Sequence, residues 1–177
     1  MRWFCTILGV LAVIVLRGMA VAESLNSISL AGEWEFALDP KDRGVVEKWP
    51  IQPLCQKALL PGTVVGNGFG DALSTETQFL GHVDKGWLSS ARYAPYREPG
   101  NIKIPSFLTP PAHYVGAAWF ARDIEIPKQW KGKQIRLFLE RCNFKTTAWI
   151  DGRQAGTRNS LSTPHVYELG ELSPGTH

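Results

Sequence analysis

The chain has 177 residues, of which 44% are hydrophobic and 20% charged, and its formal net charge is +3. Lys and Arg are scattered, with no basic block and no basic stripe of aromatic residues, which argues against nucleic-acid binding. Residues 23–177, which follow the leader described next, are long enough for one domain with a hydrophobic core.

The first 22 residues have the plan of a secretory signal peptide. Arg2 provides a positive start, an apolar run follows from Thr6 to Leu16, and Ala20-Val21-Ala22 has the A-x-A pattern of a cleavage site. The run is about half of the ~20 apolar residues that span a bilayer, which disfavours a membrane anchor. We therefore expect export, to the periplasm or the cell exterior, and no membrane association after cleavage.

Two cysteines, Cys55 and Cys142, lie beyond the predicted leader. In an oxidising compartment they can form a disulfide, whereas buried free thiols are the alternative, and the sequence leaves both open. The four histidines are isolated, and no two have the spacing of zinc ligands. No glycine loop of the phosphate-binding kind is present either. The sequence therefore predicts neither a metal nor a cofactor.

Short β-strands dominate the predicted secondary structure. Twelve prolines and seventeen glycines divide the chain into segments too brief for long helices. Alternating apolar residues and turn signals predict strands or extended pieces at Ser29–Leu38, Ala58–Leu60, Tyr114–Ile126, Gln134–Leu139, Lys145–Ile150, from Gln154 onward, and at Thr163–Leu169. The Asp151-Gly152 pair predicts a tight hairpin turn. Together these patterns predict an all-β fold, an antiparallel β-sandwich of the jelly-roll type.

Two segments do not follow the regular strand pattern. The stretch from Thr63 to Pro111 is rich in Gly, Pro and aromatic residues, and irregular segments of that length are usually functional or divided by short elements. Pro174-Gly175 is a turn signal that normally precedes a strand, and we expect none in the residues after it. We therefore expect the β-sandwich domain of residues 23–177 to be truncated before its last strands.

Five motifs along the chain resemble, in order, the N-terminal sugar-binding domain of the glycoside hydrolases that include β-galactosidase, β-glucuronidase and β-mannosidase. The motifs are Leu30–Phe36 (L-x-G-x-W-x-F), Leu60-Pro61-Gly62, Trp119–Arg122, Trp130–Lys133, and Trp149–Gly152 with Ala155-Gly156. This resemblance implies a jelly roll like that of galactose-binding domains. It also implies a parent protein in which immunoglobulin-like and barrel domains follow this one.

The resemblance implies that the parent protein hydrolyses β-glycosides with retention, using two glutamates of a (β/α)₈ barrel. Such a barrel needs roughly 200 residues or more, which residues 23–177 cannot supply. We interpret Glu33 and Glu35 as the solvated face of an edge-like strand, Glu125 and Glu140 as strand ends, and Glu168 and Glu171 as part of the final turn. No catalytic residue is therefore predicted, and whether the chain counts as an enzyme depends on the parent protein.

Five residues are candidates for carbohydrate contact. Asn101 heads an Asn-aliphatic-x-x-Pro segment whose asparagine, in the resembling β-galactosidases, reaches the sugar; the alternative is a simple turn. Trp87, Tyr93 and Tyr96 have rings suited to stacking on sugar faces, and their alternative role is to pack the long loop. Asn159 lies in a polar stretch that forms either a pocket rim or a solvated loop.

Three roles follow from these observations. The first is a sugar-binding and scaffold domain of an exported glycoside hydrolase, not catalytic by itself. The second is a free-standing, lectin-like carbohydrate-binding module, and the third is a structural domain that mediates contacts between domains or subunits. In the first two roles the partner is carbohydrate.

Overall fold

The computed structural model describes residues 27–78, 85–105 and 107–177, so the predicted signal peptide lies outside it. The chain divides into two compact units, Met1–Leu30 and Ala31–His177. Of the first unit only residues 27–30 are described, and they have no regular secondary structure. None of the described helices has the length and apolar character needed to cross a membrane.

The described part of the second unit is built from short antiparallel strands. These are β1 (Gly32–Asp39), β2 (Gln56–Leu60), β3 (Ala117–Ala121), β4 (Glu125–Ile126), β5 (Gln134–Leu139), β6 (Lys145–Ile150), β7 (Arg153–Asn159), β8 (His165–Glu171) and β9 (Gly175–Thr176). Short 3₁₀ helices lie between them at Trp49–Ile51, Val65–Asn67, Lys85–Leu88, Ala91–Arg97 and Lys128–Trp130. The predicted all-β class is confirmed, and the jelly-roll order of the strands stays a prediction.

Strand β1 is the centre of a three-stranded sheet with the order β2-β1-β3. Its alternating pattern buries Phe36 completely, and the Phe36 ring packs on the rings of Phe69 and Phe120 at centroid distances of 4.4 and 5.0 Å. The description of β1 as edge-like is wrong, because a strand pairs on each side. Glu33 and Glu35 do share a face, where both approach Lys57 of β2.

The remaining strands pair as β5–β8, β6–β7 and β4–β9. The β6–β7 connection confirms the predicted hairpin: Asp151 and Gly152 both have positive φ, 51° and 74°, as a type I′ turn requires. Glu168 and Glu171 lie within β8 and not in a turn. The expectation that no strand follows Pro174 is also wrong, because Gly175–Thr176 pairs with Glu125–Ile126.

The side chain of Asn67 completes the hydrogen bonding of the exposed edge of β2. Its Oδ1 accepts from the Leu59 amide at 2.7 Å, and its Nδ2 donates to the carbonyl oxygens of Leu59 (3.1 Å) and Thr63 (2.9 Å). A Cβ on Gly62 would lie 2.5 Å from the Leu59 oxygen and 2.9 Å from this Nδ2. The Leu60-Pro61-Gly62 motif therefore needs its glycine so that the chain can pass close to this clamp.

The buried core draws on most of the strands and on one loop. Its apolar members in the described residues are Phe36, Ala58, Ile102, Ile104, Ile126, Ile135, Ala148 and Tyr167. Asp39 and His165 are the buried residues with polar side chains. Because Ile102 and Ile104 belong to this core, the segment that contains them is anchored to the domain.

Candidate functional site

The long segment between β2 and β3 is organised by two of the 3₁₀ helices, Lys85–Leu88 and Ala91–Arg97. The guanidinium of Arg97 joins them, since its Nη1 donates to the carbonyl oxygens of Trp87 (3.2 Å) and Ser90 (2.8 Å). The amide of Lys103 donates to the Tyr96 carbonyl at 3.2 Å, which brings the following chain back beside the second helix. This segment is therefore subdivided by short elements and is not a structureless loop.

An open groove of about 540 Å³ lies between the second of these helices and the returning chain. Its lining is mostly apolar and aromatic: Tyr93, Tyr96, Ile102, Lys103, Ile104, Pro105, Phe107, Leu108, Thr109 and Pro110. The Ile104 amide donates to Thr109 Oγ1 at 3.0 Å, which closes the turn on the far wall. The volume falls in the range of small-molecule sites, but such sites enclose most of their ligand, whereas this groove is open to solvent.

Tyr93, Tyr96 and Lys103 belong to the lining of the groove, and Arg92 lies outside the lining beside Tyr93. The rings of Tyr93 and Tyr96 have centroids 6.4 Å apart and planes tilted by 30°. The guanidinium of Arg92 lies 5.6 Å from the Tyr93 centroid, and the ammonium of Lys103 lies 5.6 Å from that of Tyr96. Within the described residues neither cation forms a salt bridge.

Asn101 forms two hydrogen bonds within this segment, one through its side-chain amide and one through its backbone amide. Its Nδ2 donates to the Pro95 carbonyl at 2.7 Å, and its backbone amide donates to the Glu98 carbonyl at 2.9 Å. These bonds account for Asn101 as a turn residue at the end of the second helix. Direct sugar contact by Asn101 stays a prediction, with its Oδ1 as the group that would accept from a hydroxyl.

The other two candidates lie outside the groove lining. Trp87 is half-buried on the first short helix and is connected to the second through Arg97. Asn159 is exposed at the end of β7, where it pairs with Lys145 of β6. The structure thus brings Tyr93, Tyr96 and Asn101 into one region, with Trp87 tied to it, while Asn159 belongs to a different element.

Sequence reasoning did not identify Arg92 and Lys103 as site residues. A usable signal was present in both cases. Arg92 directly precedes a candidate tyrosine, and Lys103 alternates with the two isoleucines of the core, Ile102 and Ile104. In an extended segment this alternation places the lysine on the side opposite the buried residues.

Four of the glutamates considered in the sequence analysis are engaged in local pairs. Lys57 Nζ lies 3.6 Å from Glu33 and 3.9 Å from Glu35, Arg136 contacts Glu168 at 2.9 Å, and Thr176 Oγ1 donates to Glu125 at 2.9 Å. A glycosidase acid needs a raised carboxyl pKa. The buried carboxyl of Asp39 has the opposite property: burial raises its pKa, but hydrogen bonds from the Arg43 and Gly44 amides and the Trp119 indole outweigh burial, so the pKa ends below its ordinary value.

The described residues contain neither a disulfide between the two cysteines nor a cluster of metal-binding side chains. Cys55 and Cys142 are both free thiols, so the disulfide that the sequence left open is not formed. Among the described residues no three His, Cys, Asp or Glu side chains are placed to hold a metal ion.

No protein-family model matches the chain. A curated β-glucuronidase of Paenibacillus borealis is 20% identical over 147 residues, which are 82% of this chain and 19% of that protein. The solved β-glucuronidase of Ruminococcus gnavus with uronic deoxynojirimycin matches 84% of this chain and 20% of its own, with a TM-score of 0.53 and 16% identity. Its complex with D-glucuronic acid gives a TM-score of 0.52 over the same shares, also at 16% identity.

The chain thus spans about a fifth of the length of the relatives that it matches. At these identities the solved structures establish a common fold. The predicted resemblance is confirmed: in sequence and fold the chain is similar to one domain of the glycoside hydrolases of the β-glucuronidase kind.

Proposed function

We propose that the chain is a sugar-binding and scaffold domain of a larger exported glycoside hydrolase, and that it is not catalytic by itself. The parent protein would hydrolyse O-glycosyl bonds of β-glycosides in carbohydrate metabolism. The observation that carries this proposal is the pair of coverages, 84% of this chain against about 20% of each β-glucuronidase structure. A domain of a larger enzyme gives this result, because nearly all of the domain is matched while most of the larger enzyme is not.

The arrangement of carboxylates supports the non-catalytic part of the proposal. A retaining glycosidase needs a nucleophile and an acid whose carboxyl groups lie roughly 5–5.5 Å apart on either side of the scissile bond. Here Glu33 and Glu35 share a lysine, and Glu168 has an arginine partner. The side chains of all three are exposed, whereas the proton donor of a glycosidase lies in a pocket shielded from water.

In this role the domain packs beside immunoglobulin-like and barrel domains of the parent protein and contributes to one wall of its sugar pocket. The groove beside Tyr96 is the surface best suited to carbohydrate, because it combines aromatic rings with polar groups. Ile102 and Ile104 are buried, and their burial anchors that surface to the domain.

Two measurements test this proposal. The purified chain, incubated with chromogenic β-glucuronide, β-galactoside and β-mannoside, is expected to release no chromophore above the buffer blank. If the chain did turn over one of these substrates, and a Glu→Gln substitution in the chain abolished that turnover, the proposal that the chain is not catalytic would be refuted. The gene is expected to continue, downstream of the codon for His177, into a reading frame for a (β/α)₈ barrel.

A lectin-like module that acts without a barrel is the second candidate, and the groove with its two tyrosines favours it. It predicts that the isolated chain binds immobilised glycans and that Tyr96→Ala removes this binding. A third candidate is a purely structural contact domain. It predicts that neither the unmodified chain nor its Tyr96→Ala variant binds glycans.

A further inference from the structure

We infer that the open edge of β3 is a binding site for one further strand, and that its occupant is the chain that continues β9 beyond His177 in the larger protein. This strand would run antiparallel to β3 and extend the sheet β2-β1-β3 on its β3 side. The inference rests on the proposed function, which makes the chain one part of a longer protein. It identifies the surface on which the next segment of that protein would lie.

Strand β3 is paired on one side. In the part of the chain that the structure describes, it pairs with β1 and with no other strand. Its five residues, Ala117–Ala121, are all half-buried, and none of them is charged or a proline. Native proteins protect open strand edges with charges, prolines or bulges, because unpaired N–H and C=O groups bind other strands. The composition of β3 is therefore that of a strand whose edge is covered in the complete protein.

The opposite edge of the same sheet is closed within this chain. There the side chain of Asn67 bonds to the amide and to the carbonyl oxygen of Leu59, at 2.7 and 3.1 Å, as a neighbouring strand would do. Among the described residues no side chain is bonded in this way to the outer side of β3. The β2 edge thus needs no further strand, whereas the β3 edge can receive one.

The backbone groups that would bind this strand belong to Ala118 and Phe120. The Tyr114 hydroxyl accepts from the Asp39 amide and donates to the Ala117 carbonyl oxygen, so the backbone of Ala117 points toward β1. Successive residues of a strand direct their N–H and C=O groups to opposite sides, so those of Ala118 and Phe120 point to the open edge. Neither residue forms a backbone hydrogen bond there with any described part of the chain.

Strand β9 is directed along this edge. It pairs with β4, and the same register continues to Ile124 and His177, whose backbones exchange hydrogen bonds of 2.9 and 3.0 Å. Ile124 and Phe120 are four residues apart, so in an extended segment their backbone groups point to the same side. A chain that kept this register beyond His177 would therefore lie along β3, opposite Ala118 and Phe120.

Hydrogen exchange on the 177-residue protein and on extended versions of it tests the inference. Seven residues, enough to pass Asp123 and cover β3, are added after His177. They alternate threonine and valine, beginning with threonine, so that the fourth residue is a valine opposite Phe120 on the same face of the sheet. The matched controls are a glycine–serine segment of equal length and the threonine–valine segment with proline as its fourth residue.

The threonine–valine extension should slow exchange of the Ala118 and Phe120 amides about tenfold or more and raise the urea midpoint of unfolding. The Leu59 amide on the other edge is the internal reference and should change less. Both controls should behave like the unextended chain. Glycine and serine have low strand propensity, and proline lacks the N–H group that would donate to Phe120. Equal protection by all three segments, or protection by none, would overturn the inference.

A second copy of the chain is the alternative occupant, and sedimentation velocity distinguishes it. We expect the protein with the threonine–valine extension to be a monomer, because its own strand covers the edge. The inference is wrong if the unextended chain dimerises with Ala118 and Phe120 already protected, and the extension neither dissociates the dimer nor adds protection.

Failure of this inference is distinguishable from failure of the proposed function. If the reading frame continues after His177, the next seven encoded residues should protect β3 as the designed segment does. Absence of protection refutes the strand site, while the chromogenic substrates and the downstream frame still test the glycoside hydrolase assignment. A reading frame that stops at His177 refutes the larger protein, and with it this occupant, even where the designed segment protects the edge.

Discussion

The indole Nε1 of Trp119 donates a hydrogen bond of 3.0 Å to Oδ2 of Asp39, across 80 residues of sequence. The same carboxylate accepts from the amides of Arg43 (2.8 Å) and Gly44 (2.7 Å). Asp39 is 3% exposed, and this burial raises its pKa, but the three donors outweigh the burial and the pKa ends below its ordinary value. One carboxylate therefore joins the end of β1, the turn after it and the indole of β3.

Replacing Asp39 with Asn should destabilise the domain by about 2 kcal/mol or more, because buried donors would lose a charged acceptor. The folded-state pKa is lowered, so the stabilisation is present above the unfolded pKa and is lost as pH falls through the lower folded value. Urea unfolding should show a large deficit for D39N at pH 7 that shrinks at pH 3 and below. Asp123→Asn, at an exposed position, is the control and should cost little; an equal deficit at both pH values would contradict this account.

Removing the side-chain clamp on β2 should weaken the edge of the first sheet. Asn67→Ala deletes three hydrogen bonds to Leu59 and Thr63, and we expect a loss of about 1–2 kcal/mol in unfolding free energy. Asn159→Ala at the exposed end of β7 is the matched control, with an expected change within about 0.5 kcal/mol. Thermal or urea denaturation measures both, and similar values for the two variants would show that the clamp contributes nothing.

The imidazole of His177 links two turns. Its Nδ1 donates to Asp151 Oδ2 at 2.8 Å and its Nε2 donates to the Ser173 carbonyl at 2.7 Å, while its backbone pairs with Ile124. Both nitrogens act as donors, which requires the protonated ring. The hydrogen bond to Asp151, helped by that to Ser173, accordingly raises the pKa of His177 above its ordinary value, and the Glu125 charge adds to this.

Stability should therefore depend on pH through His177. A raised folded-state pKa means that the contribution is fully present below the unfolded pKa, near 6.5, and is lost as pH rises through the higher folded value. His177→Gln should lower the urea midpoint at pH 5.5 and have less effect at pH 9. Asp151→Asn, which keeps a residue tolerant of positive φ, should show the same pH dependence. A loss for either variant that does not vary with pH would argue against the ion pair.

The two thiols should differ in reactivity. Cys55 is exposed, whereas Cys142 is partly buried and its burial raises its pKa, so less thiolate is present at a given pH. In single-thiol variants, which carry Cys5→Ser together with either Cys142→Ser or Cys55→Ser, a disulfide reagent at pH 8 should label Cys55 about tenfold faster or more. Equal rates, or quantitative disulfide formation in the unmodified chain under native conditions, would contradict the structure.

Local patterns were sufficient for the elements with strong short-range signals. The alternation in β1 placed Phe36 in the core because side chains alternate between the faces of a strand. The pair Asp151-Gly152 predicted its hairpin because few residues tolerate positive φ at both positions of that turn. The order of five motifs indicated the resemblance that the comparisons with β-glucuronidases confirmed.

Contacts between residues that lie far apart in sequence could not be predicted from local patterns. The central position of β1 depends on β3, some 80 residues later, and β9 is a strand only because it pairs with β4. The groove likewise exists because the Lys103 amide bonds to the Tyr96 carbonyl and returns the chain beside the tyrosines. Composition and periodicity carry no information on these contacts, since strand register and loop closure depend on packing throughout the domain.

The sequence by itself determined the all-β class, the main turns and the relationship to glycoside hydrolases, because these depend on residue type and spacing within a few residues. The tertiary structure alone decided that Tyr96 and Lys103 share a surface and that Asp39 reaches Trp119. These are distances between segments, and only the folded chain brings such segments within a few ångströms of one another.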